Sequence, residues 1–265
     1  MLLWREDAGA ANRDYIMTIK SHIYLFLFVL SLQQCCLLAC PVIAQNIDEP
    51  HQLAKKPSWT NRAVSFSQLK LQLRQNDPNS ASDKAAVAGL ISLLNIEADY
   101  VASGTPLDEN YSEYFANLIQ VVASLKSSNA ITALLKPSVI VTGDMAIVAV
   151  ARFGDAALAQ VIQRDGVVTS DVEKSAITSV MSTMLIEKTL STAENRAKVE
   201  RSLLRAAADP DPYVRIAAIR GLSSSGDSAA MQVLKKLKDS DPFFVSNQQG
   251  KSYIVRNEAA RLIRQ

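Results

Sequence analysis

The chain has 265 residues, of which 48% are hydrophobic, 20% charged and only 6% aromatic, and its formal net charge is +2. Nine glycines and nine prolines are few for this length, which argues against a turn-rich all-β protein, a collagen-like repeat and a disordered chain. A nearly neutral charge does not favour a nucleic-acid-binding protein. The length allows one large domain or two small ones, and it is sufficient to form a hydrophobic core.

Residues 1–44 have the features of a secretory leader. Met17 is a better start than Met1, because a positive residue and the apolar run 23–32 follow it. Val42 and Ala44 are the small residues that a leader peptidase requires before its cleavage site. We therefore expect Met17 to be the true start and the mature protein to be exported, to the periplasm or outside the cell.

Two other fates of the leader stay open. Residues 23–44 are long enough to cross a bilayer as an uncleaved signal anchor. Residues 37–40 resemble a lipoprotein box in which Cys40 would carry the lipid. All three cysteines lie between positions 35 and 40, so a chain cleaved after Ala44 has no thiol for a disulfide, a zinc site or a nucleophile.

After the leader, residues 45–64 show little periodicity and predict a loosely ordered N-terminus. From residue 65 to 265 the sequence predicts helices almost without interruption. Apolar residues recur at spacings of three and four in two early stripes, which consist of Val87, Leu90, Ile91, Leu94 and Ala98, and of Tyr111, Tyr114, Phe115, Leu118, Val122 and Leu125. The aromatic residues of the second stripe indicate core packing rather than a cofactor site.

Strand signals are nearly absent. The best candidate, Ser138–Thr142, is a short β-branched run between helical segments, and a single strand would have no partner. We expect an extended loop there.

The second half of the chain contains an internal repeat. The segment Gly154–Ile162 recurs as Gly226–Leu234, at an offset of 72 residues or twice 36. Ser191 lies halfway and begins a Ser-Thr-Ala-Glu capping box, so helix N-caps are predicted at residues 155, 191 and 227. A 36-residue period in helical sequence indicates a stack of helical hairpins.

Residues 209–222, followed by Gly226 and Asp227, resemble a HEAT-like repeat of the phycobilisome-lyase type, and residues 255–262 resemble the opening helix of one further repeat. The resemblance is clearest over residues 205–265. It implies an all-α superhelix of helical hairpins. Asp211 and Asp227 are expected to cap the two helices of the better repeat.

In such repeats the arginine that follows the valine commonly bridges to an aspartate of an adjacent repeat. The resemblance therefore implies a structural role for Arg215 and Arg256.

Residue patterns that carry catalysis are mostly missing. After the leader the chain contains one histidine, His51, so a Ser-His-Asp triad or a histidine metal site is not expected. Ser67 and Lys70 match the Ser-x-x-Lys motif of penicillin-binding enzymes, but no Lys-Thr-Gly follows. We expect no enzyme activity, no metal and no cofactor.

Charge is uneven along the chain. Residues 80–195 carry 7 basic and 13 acidic side chains, whereas residues 196–265 carry 13 basic and 7 acidic ones. Two explanations stay open. The charges can belong to solvated helix faces and to ion pairs between repeats, or the basic residues can form a C-terminal surface for an anionic partner.

The expected function is binding of another protein by an exported repeat scaffold, since stacked repeats provide extended surfaces. We expect no binding to nucleic acid. We expect attachment to a membrane only through an uncleaved leader or a lipid on Cys40. The alternative is a pigment- or cofactor-handling auxiliary enzyme related to HEAT-repeat lyases.

One insertion interrupts the repeat. Residues 243–253 separate Asp241-Pro242 from the last helix and contain three aromatic residues, Phe243, Phe244 and Tyr253, around a polar, glycine-containing centre. We expect a surface loop that either folds back as a terminal cap or contacts a partner.

Overall fold

The computed structural model of the chain describes residues 58–75, 81–104, 109–125, 127–247 and 250–264, all within the unit Glu49–Gln265. The leader 1–44, with Met17 and Cys40, and also His51 lie outside the described residues.

Helices make up nearly all of the described chain. The first six are α1 (Trp59–Gln75), α2 (Ala81–Ala102), α3 (Glu109–Ser124), α4 (Ser128–Leu134), α5 (Pro137–Ile140) and α6 (Asp144–Arg152). The others are α7 (Asp155–Asp165), α8 (Asp171–Ile186), α9 (Ala193–Ala206), α10 (Pro212–Leu222), α11 (Ser228–Ser240) and α12 (Ile254–Ile263). An antiparallel hairpin of β1 (Val245–Asn247) and β2 (Gly250–Ser252) joins α11 to α12. The predicted all-α class is confirmed, with this hairpin as its exception.

The helices stack in two rows. In the first row, α3, α6, α8, α10 and α12 follow one another, and each contacts the next. In the second row, α4 contacts α7 and α7 contacts α9, while α11 packs against α10 and α12. One buried core runs along the stack between the rows, from Phe66 in α1 to Leu262 in α12. This is the arrangement that stacked helical hairpins produce.

Polar contacts join residues that are one repeat apart. Asp155 contacts Ser191 at a separation of 36 residues, and other pairs are separated by 35 to 38 residues. These pairs are Arg62–Glu97, Lys136–Asp99, Lys174–Asp209, Ser182–Ala217 and Arg220–Glu258. The period predicted from residues 154–234 therefore recurs in contacts that begin at α1.

Small residues let successive helices of the first row approach closely. Gly221 of α10 faces Ser182 of α8, and a Cβ at Gly221 would lie 2.7 Å from the Ser182 Cα. The Ser182 hydroxyl donates a hydrogen bond of 2.5 Å to the Ala217 carbonyl of the neighbouring helix. Alanine and glycine at this contact therefore bring the backbones of α8 and α10 together.

The predicted aromatic stripe lies in the core. Tyr111, Phe115, Leu118 and Val122 are all buried, so the prediction of core packing is confirmed. Leu90, Leu94 and Ala98 of α2 are also fully buried. The segment Asp83–Ala102 is long and apolar enough to cross a membrane, but length and composition alone do not separate such a span from a core helix.

The predicted loose N-terminus at residues 45–64 is wrong for its last part, because α1 begins at Trp59. The buried face of α1 contains the polar residues Arg62 and Ser65. The apolar periodicity that indicates a helix is therefore weak in this segment. The Trp59 ring packs edge-on against the Tyr111 ring, with 5.7 Å between their centroids. Tertiary packing thus holds a helix whose sequence shows little periodicity.

The extended loop predicted at Ser138–Thr142 is also wrong. Pro137 occupies the first position of α5, where its missing N–H costs no hydrogen bond, and Val139 and Ile140 are fully buried. Burial of Val139 and Ile140 explains the one-turn helix. The sequence alone does not show this burial, because a β-branched run also fits an extended segment.

The predicted N-caps are placed differently at two of three positions. Asp227 caps α11 by accepting from the Ala229 N–H. In α9 the cap is Thr192, which accepts from the Asn195 N–H, and not Ser191. Asp155 is the first residue of α7, after Gly154 at the N-cap position, and it accepts hydrogen bonds from the Ser191 N–H and hydroxyl and from the Asn195 side-chain amide. These hydrogen bonds hold the pKa of Asp155 below its usual range, with the Ser191 hydroxyl as the largest cause.

Candidate interaction surface

The insertion at residues 243–253 is a β-hairpin rather than an irregular loop. Val245 pairs with Ser252, Ser246 with Lys251 and Asn247 with Gly250. Gly250 has a φ of +117°, which favours glycine, and nothing lies near the position of its missing Cβ. The hairpin register places Phe244 and Tyr253 opposite each other, one residue beyond the last pair.

Four side chains of the hairpin and of α12 form one series of ring and cation–π contacts. The Phe244 and Tyr253 rings are 5.7 Å apart between centroids. The Lys251 Nζ lies 4.2 Å from the Phe244 centroid, and the Arg256 guanidinium carbon lies 4.2 Å from the Tyr253 centroid. We call these four residues the aromatic–cation cluster. Cation–π contact of this kind restrains long side chains that would otherwise sample many rotamers.

The cluster is open to solvent on the Phe244 side. Phe244 is 38% exposed and Val245 is 41% exposed, whereas Phe243 and Tyr253 are half-buried. Ile254 and Val255, which follow directly, pack into the core. The structure thus brings Phe244 and Tyr253 together and places Phe243 apart from them at the base of the hairpin, where its N–H donates to the Asp241 carboxylate.

Asp241 joins the hairpin base to two helices. Arg215 binds its carboxylate at two points, with Nε to Oδ2 at 2.7 Å and Nη2 to Oδ1 at 3.0 Å. Arg215 Nη1 also donates to the carbonyls of Asp209 and Pro210. Arg256 donates from Nε to the Asp241 carbonyl at 2.5 Å. Both arginines singled out in the sequence therefore meet at Asp241.

Asp211 lies directly before α10 as its N-cap residue. Its carboxylate accepts hydrogen bonds from the N–H groups of Tyr213 and Val214, so it caps the helix that carries Arg215.

Positive charge at the hairpin has few acidic neighbours in sequence. Between Asp241 and Glu258 the chain contains no aspartate or glutamate. Glu258 is held by Arg261 and Arg220, whose hydrogen bonds lower its pKa to about 2. Lys251 is exposed and Arg256 is half-buried, while both flanking carboxylates bind other arginines.

A second polar cluster, which the sequence did not predict, lies at the opposite end of the described chain. Glu97 of α2 is fully buried and pairs with Arg62 of α1, with Nε at 2.5 Å and Nη2 at 2.9 Å from its two oxygens. The hydroxyls of Tyr111 and Tyr114 donate to the same carboxylate at 3.1 and 2.9 Å. Burial, followed by the charge of Glu97, raises the pKa of both tyrosines.

One signal could have revealed this cluster. Glu97 lies in the apolar part of α2 beside the buried Ala98 and Leu94, and buried carboxylates require partners. The four groups satisfy one another, which favours a structural role that ties α1 to α2 and α3.

Other chemistry has weaker support in the described residues. Ser67 donates to the Ala63 carbonyl and Lys70 lies over the Phe66 ring, so the two residues of the Ser-x-x-Lys motif have separate partners on α1. No group of histidine, cysteine, aspartate or glutamate that could hold a metal occurs among the residues that the structure describes. A shallow groove of about 300 Å³ lies between α4 and α7 and is lined by Leu135, Gln160 and Arg164, among others.

Comparison with known families decides what the C-terminal repeats resemble. Residues 188–249 match the family model of HEAT repeats. The match covers α9, α10 and α11, and it confirms the HEAT-like resemblance without distinguishing the phycobilisome-lyase type from other HEAT repeats. No curated protein and no solved structure matches the chain. Within the HEAT-repeat segment, Arg215 and Asp241 supply the buried ion pair that joins the two helices of one repeat to the hairpin.

Proposed function

We propose that this protein is a non-catalytic interaction scaffold that binds another protein through the hairpin surface, which we define as Phe244, Val245, Lys251, Tyr253 and Arg256. HEAT repeats are commonly interaction modules, and stacked repeats offer long surfaces for a partner. The observation that carries the proposal is the exposure of Phe244 and Val245 beside ordered cations. Aromatic residues and arginine are enriched at the centres of protein interfaces.

The alternative role of the hairpin, as a cap over the end of the core, has less support. The apolar surface at this end of the core is covered by Ile254, Val255 and Leu262 of α12 itself. Phe244 contacts Tyr253 and Lys251 instead and is 38% exposed, which supports its availability for contact.

Site-specific photocrosslinking in cells that express the protein tests this proposal. A benzophenone side chain at Val245 is compared with the same group at Val172, another exposed valine, which is 66% exposed at the start of α8. We expect one discrete adduct from position 245 and none from position 172. Equal adducts from both positions, or none from position 245, would contradict a role for the hairpin surface.

Replacement of residues 244–252 by a short Gly-Ser linker separates contact from capping. We expect binding of the crosslinked partner to be lost while the midpoint of urea unfolding stays within a few tenths of a molar. A large loss of stability with partner binding retained would favour the cap.

We further propose that the protein is exported and that its leader is removed before Gln45. The support is the apolar run 23–32 and the Val-x-Ala sequence before residue 45. The intact mass of the native protein should correspond to residues 45–265, without a thiol. A mass that includes residues 17–44, or a lipid on Cys40, would contradict cleavage at this point.

A further inference from the structure

The charge around the hairpin indicates the chemistry of the partner. Lys251 and Arg256 lie on the faces of the Phe244 and Tyr253 rings, and no acidic residue occurs from 242 to 257. The carboxylates that flank these cations, Asp241 and Glu258, bind other arginines, so the charge of Lys251 and Arg256 favours an anionic partner.

The apolar part of the same surface indicates that the partner also contains an apolar side chain. Phe244 and Val245 are adjacent in sequence and both are more than a third exposed. They offer contact to an apolar side chain, while β1 is a strand with which an extended peptide can pair. A partner segment that alternates acidic and apolar residues meets both requirements.

The two cations are also well prepared to receive carboxylates. Arg256 uses its Nε on the Asp241 carbonyl, and a guanidinium carries four further N–H donors in the same plane. Stacking on the rings fixes both side chains before binding, which reduces the entropy lost on association.

We propose that the hairpin surface binds an extended acidic segment of a protein, whose carboxylates contact Lys251 and Arg256 and whose apolar side chain contacts Phe244 and Val245. This inference rests on the proposed function and specifies its partner. Membrane headgroups are less suitable, because peripheral attachment to anionic lipid typically uses about four to eight clustered basic residues. Double-stranded DNA is less suitable for the same reason, since phosphate binding depends on many contacts.

Fluorescence anisotropy with a defined peptide tests the inference. The probe is a fluorescein-labelled 12-residue peptide of alternating glutamate and leucine, and the control probe has glutamine in place of each glutamate. We expect the acidic probe to bind the full mature chain and the glutamine probe to bind at least about tenfold more weakly. Lys251→Glu and Phe244→Ala should each weaken binding of the acidic probe about tenfold.

Lys236→Glu is the matched control, because it reverses an exposed lysine of α11 outside the cluster. We expect it to weaken binding by less than about threefold, mainly through the association rate. Equal losses in Lys236→Glu and Lys251→Glu would overturn the inference in favour of diffuse electrostatics. Each variant is first compared with the parent in urea unfolding, and Lys251→Gln serves in place of any variant that does not fold.

Two further probes decide between classes of partner. Vesicles with 30% phosphatidylserine and a 20-base-pair DNA duplex should not compete with the acidic peptide, and competition at equal charge concentration would overturn the inference. If position 245 crosslinks a protein in cells but the acidic probe does not bind, the inference fails and the proposed function stands. If neither occurs, both fail.

Discussion

The guanidinium of Arg215 and the carboxylate of Asp241 form a two-point ion pair from which solvent is almost excluded. Arg215 is 7% exposed and Asp241 is 2% exposed. Asp241 follows the last residue of α11, whereas Arg215 lies in the first turns of α10, so the pair joins both ends of one helical hairpin. Arg256 of α12 adds a hydrogen bond to the Asp241 carbonyl. Asp241, which lies between the last two repeats, therefore positions the hairpin surface.

Removal of Arg215 should destabilise the protein strongly. Arg215→Ala leaves the Asp241 carboxylate buried and unpaired, which typically costs about 3–5 kcal/mol. We expect this decrease in the free energy of unfolding by urea. Arg201→Ala, at an exposed position of α9, is the control and should change stability by less than about 0.5 kcal/mol.

Partner contact should survive the same substitution. At a temperature where Arg215→Ala remains folded, the crosslink from position 245 should still form. Loss of the crosslink at unchanged stability would place Arg215 in the interaction surface and contradict its structural role.

Glu258 should make stability depend on acid. The hydrogen bonds from Arg261 and Arg220 lower its pKa in the folded state to about 2, below the value of about 4.3 for an unfolded chain. A carboxyl with a lowered pKa stabilises the fold fully above the unfolded pKa, and this stabilisation is lost as the pH falls from about 4.3 through 2.

Urea unfolding at several pH values between 2 and 6 checks this effect. The stability difference between the parent and Glu258→Gln should be large at pH 6 and shrink steadily below pH 4.3. Glu113→Gln, which removes an exposed carboxylate of α3, is the comparison for general effects of charge. A difference for Glu258→Gln that does not change with pH would refute the role assigned to its ion pairs.

The buried Glu97 cluster predicts a specific loss from a single hydroxyl. Tyr114→Phe removes a hydrogen bond to a fully buried carboxylate, and bonds to charged groups typically contribute about 1.5–3 kcal/mol. We expect a loss of stability in this range. Tyr213→Phe removes the hydroxyl of a tyrosine that is 57% exposed and should have almost no effect. Equal effects of the two substitutions would show that Glu97 does not depend on Tyr114.

Local signals made part of the fold predictable. Helix α10 could be predicted closely, because a capping aspartate, a proline at the first position and apolar residues at helical spacing all occur within 14 residues. Helix α1 could not, because Arg62 on its buried face is explained only by Glu97, which lies 35 residues later. The aromatic residues of the insertion were visible, but strands of three residues are too short to show alternation.

The contact between the Phe244 and Tyr253 rings depends on the register of the hairpin and not on composition. The three aromatic residues could therefore be selected from the sequence as candidates, but the contact between Phe244 and Tyr253 and the separate place of Phe243 at the base could not be predicted.

Two glycines at equivalent positions of the repeat should respond differently to the same substitution. Gly154 and Gly226 both precede an aspartate, in segments that match at an offset of 72 residues. Their φ values are +54° and +71°, so alanine at either position costs about 1–2 kcal/mol in backbone strain. Only at Gly154 does an added Cβ meet the backbone, 2.2 Å from the Thr189 carbonyl oxygen, whereas nothing lies within 4 Å at Gly226.

We therefore expect Gly226→Ala to lose about 1–2 kcal/mol and Gly154→Ala to lose at least about 2 kcal/mol more, because α6, α7 and the Thr189 turn must separate. Thr189 also donates to the Ala151 carbonyl at 2.8 Å, so movement of this turn breaks a hydrogen bond to the end of α6. Parallel urea unfolding of the two variants measures the difference directly. Equal losses would show that backbone strain alone accounts for both glycines and that the contact between Gly154 and Thr189 contributes little to the joining of successive repeats.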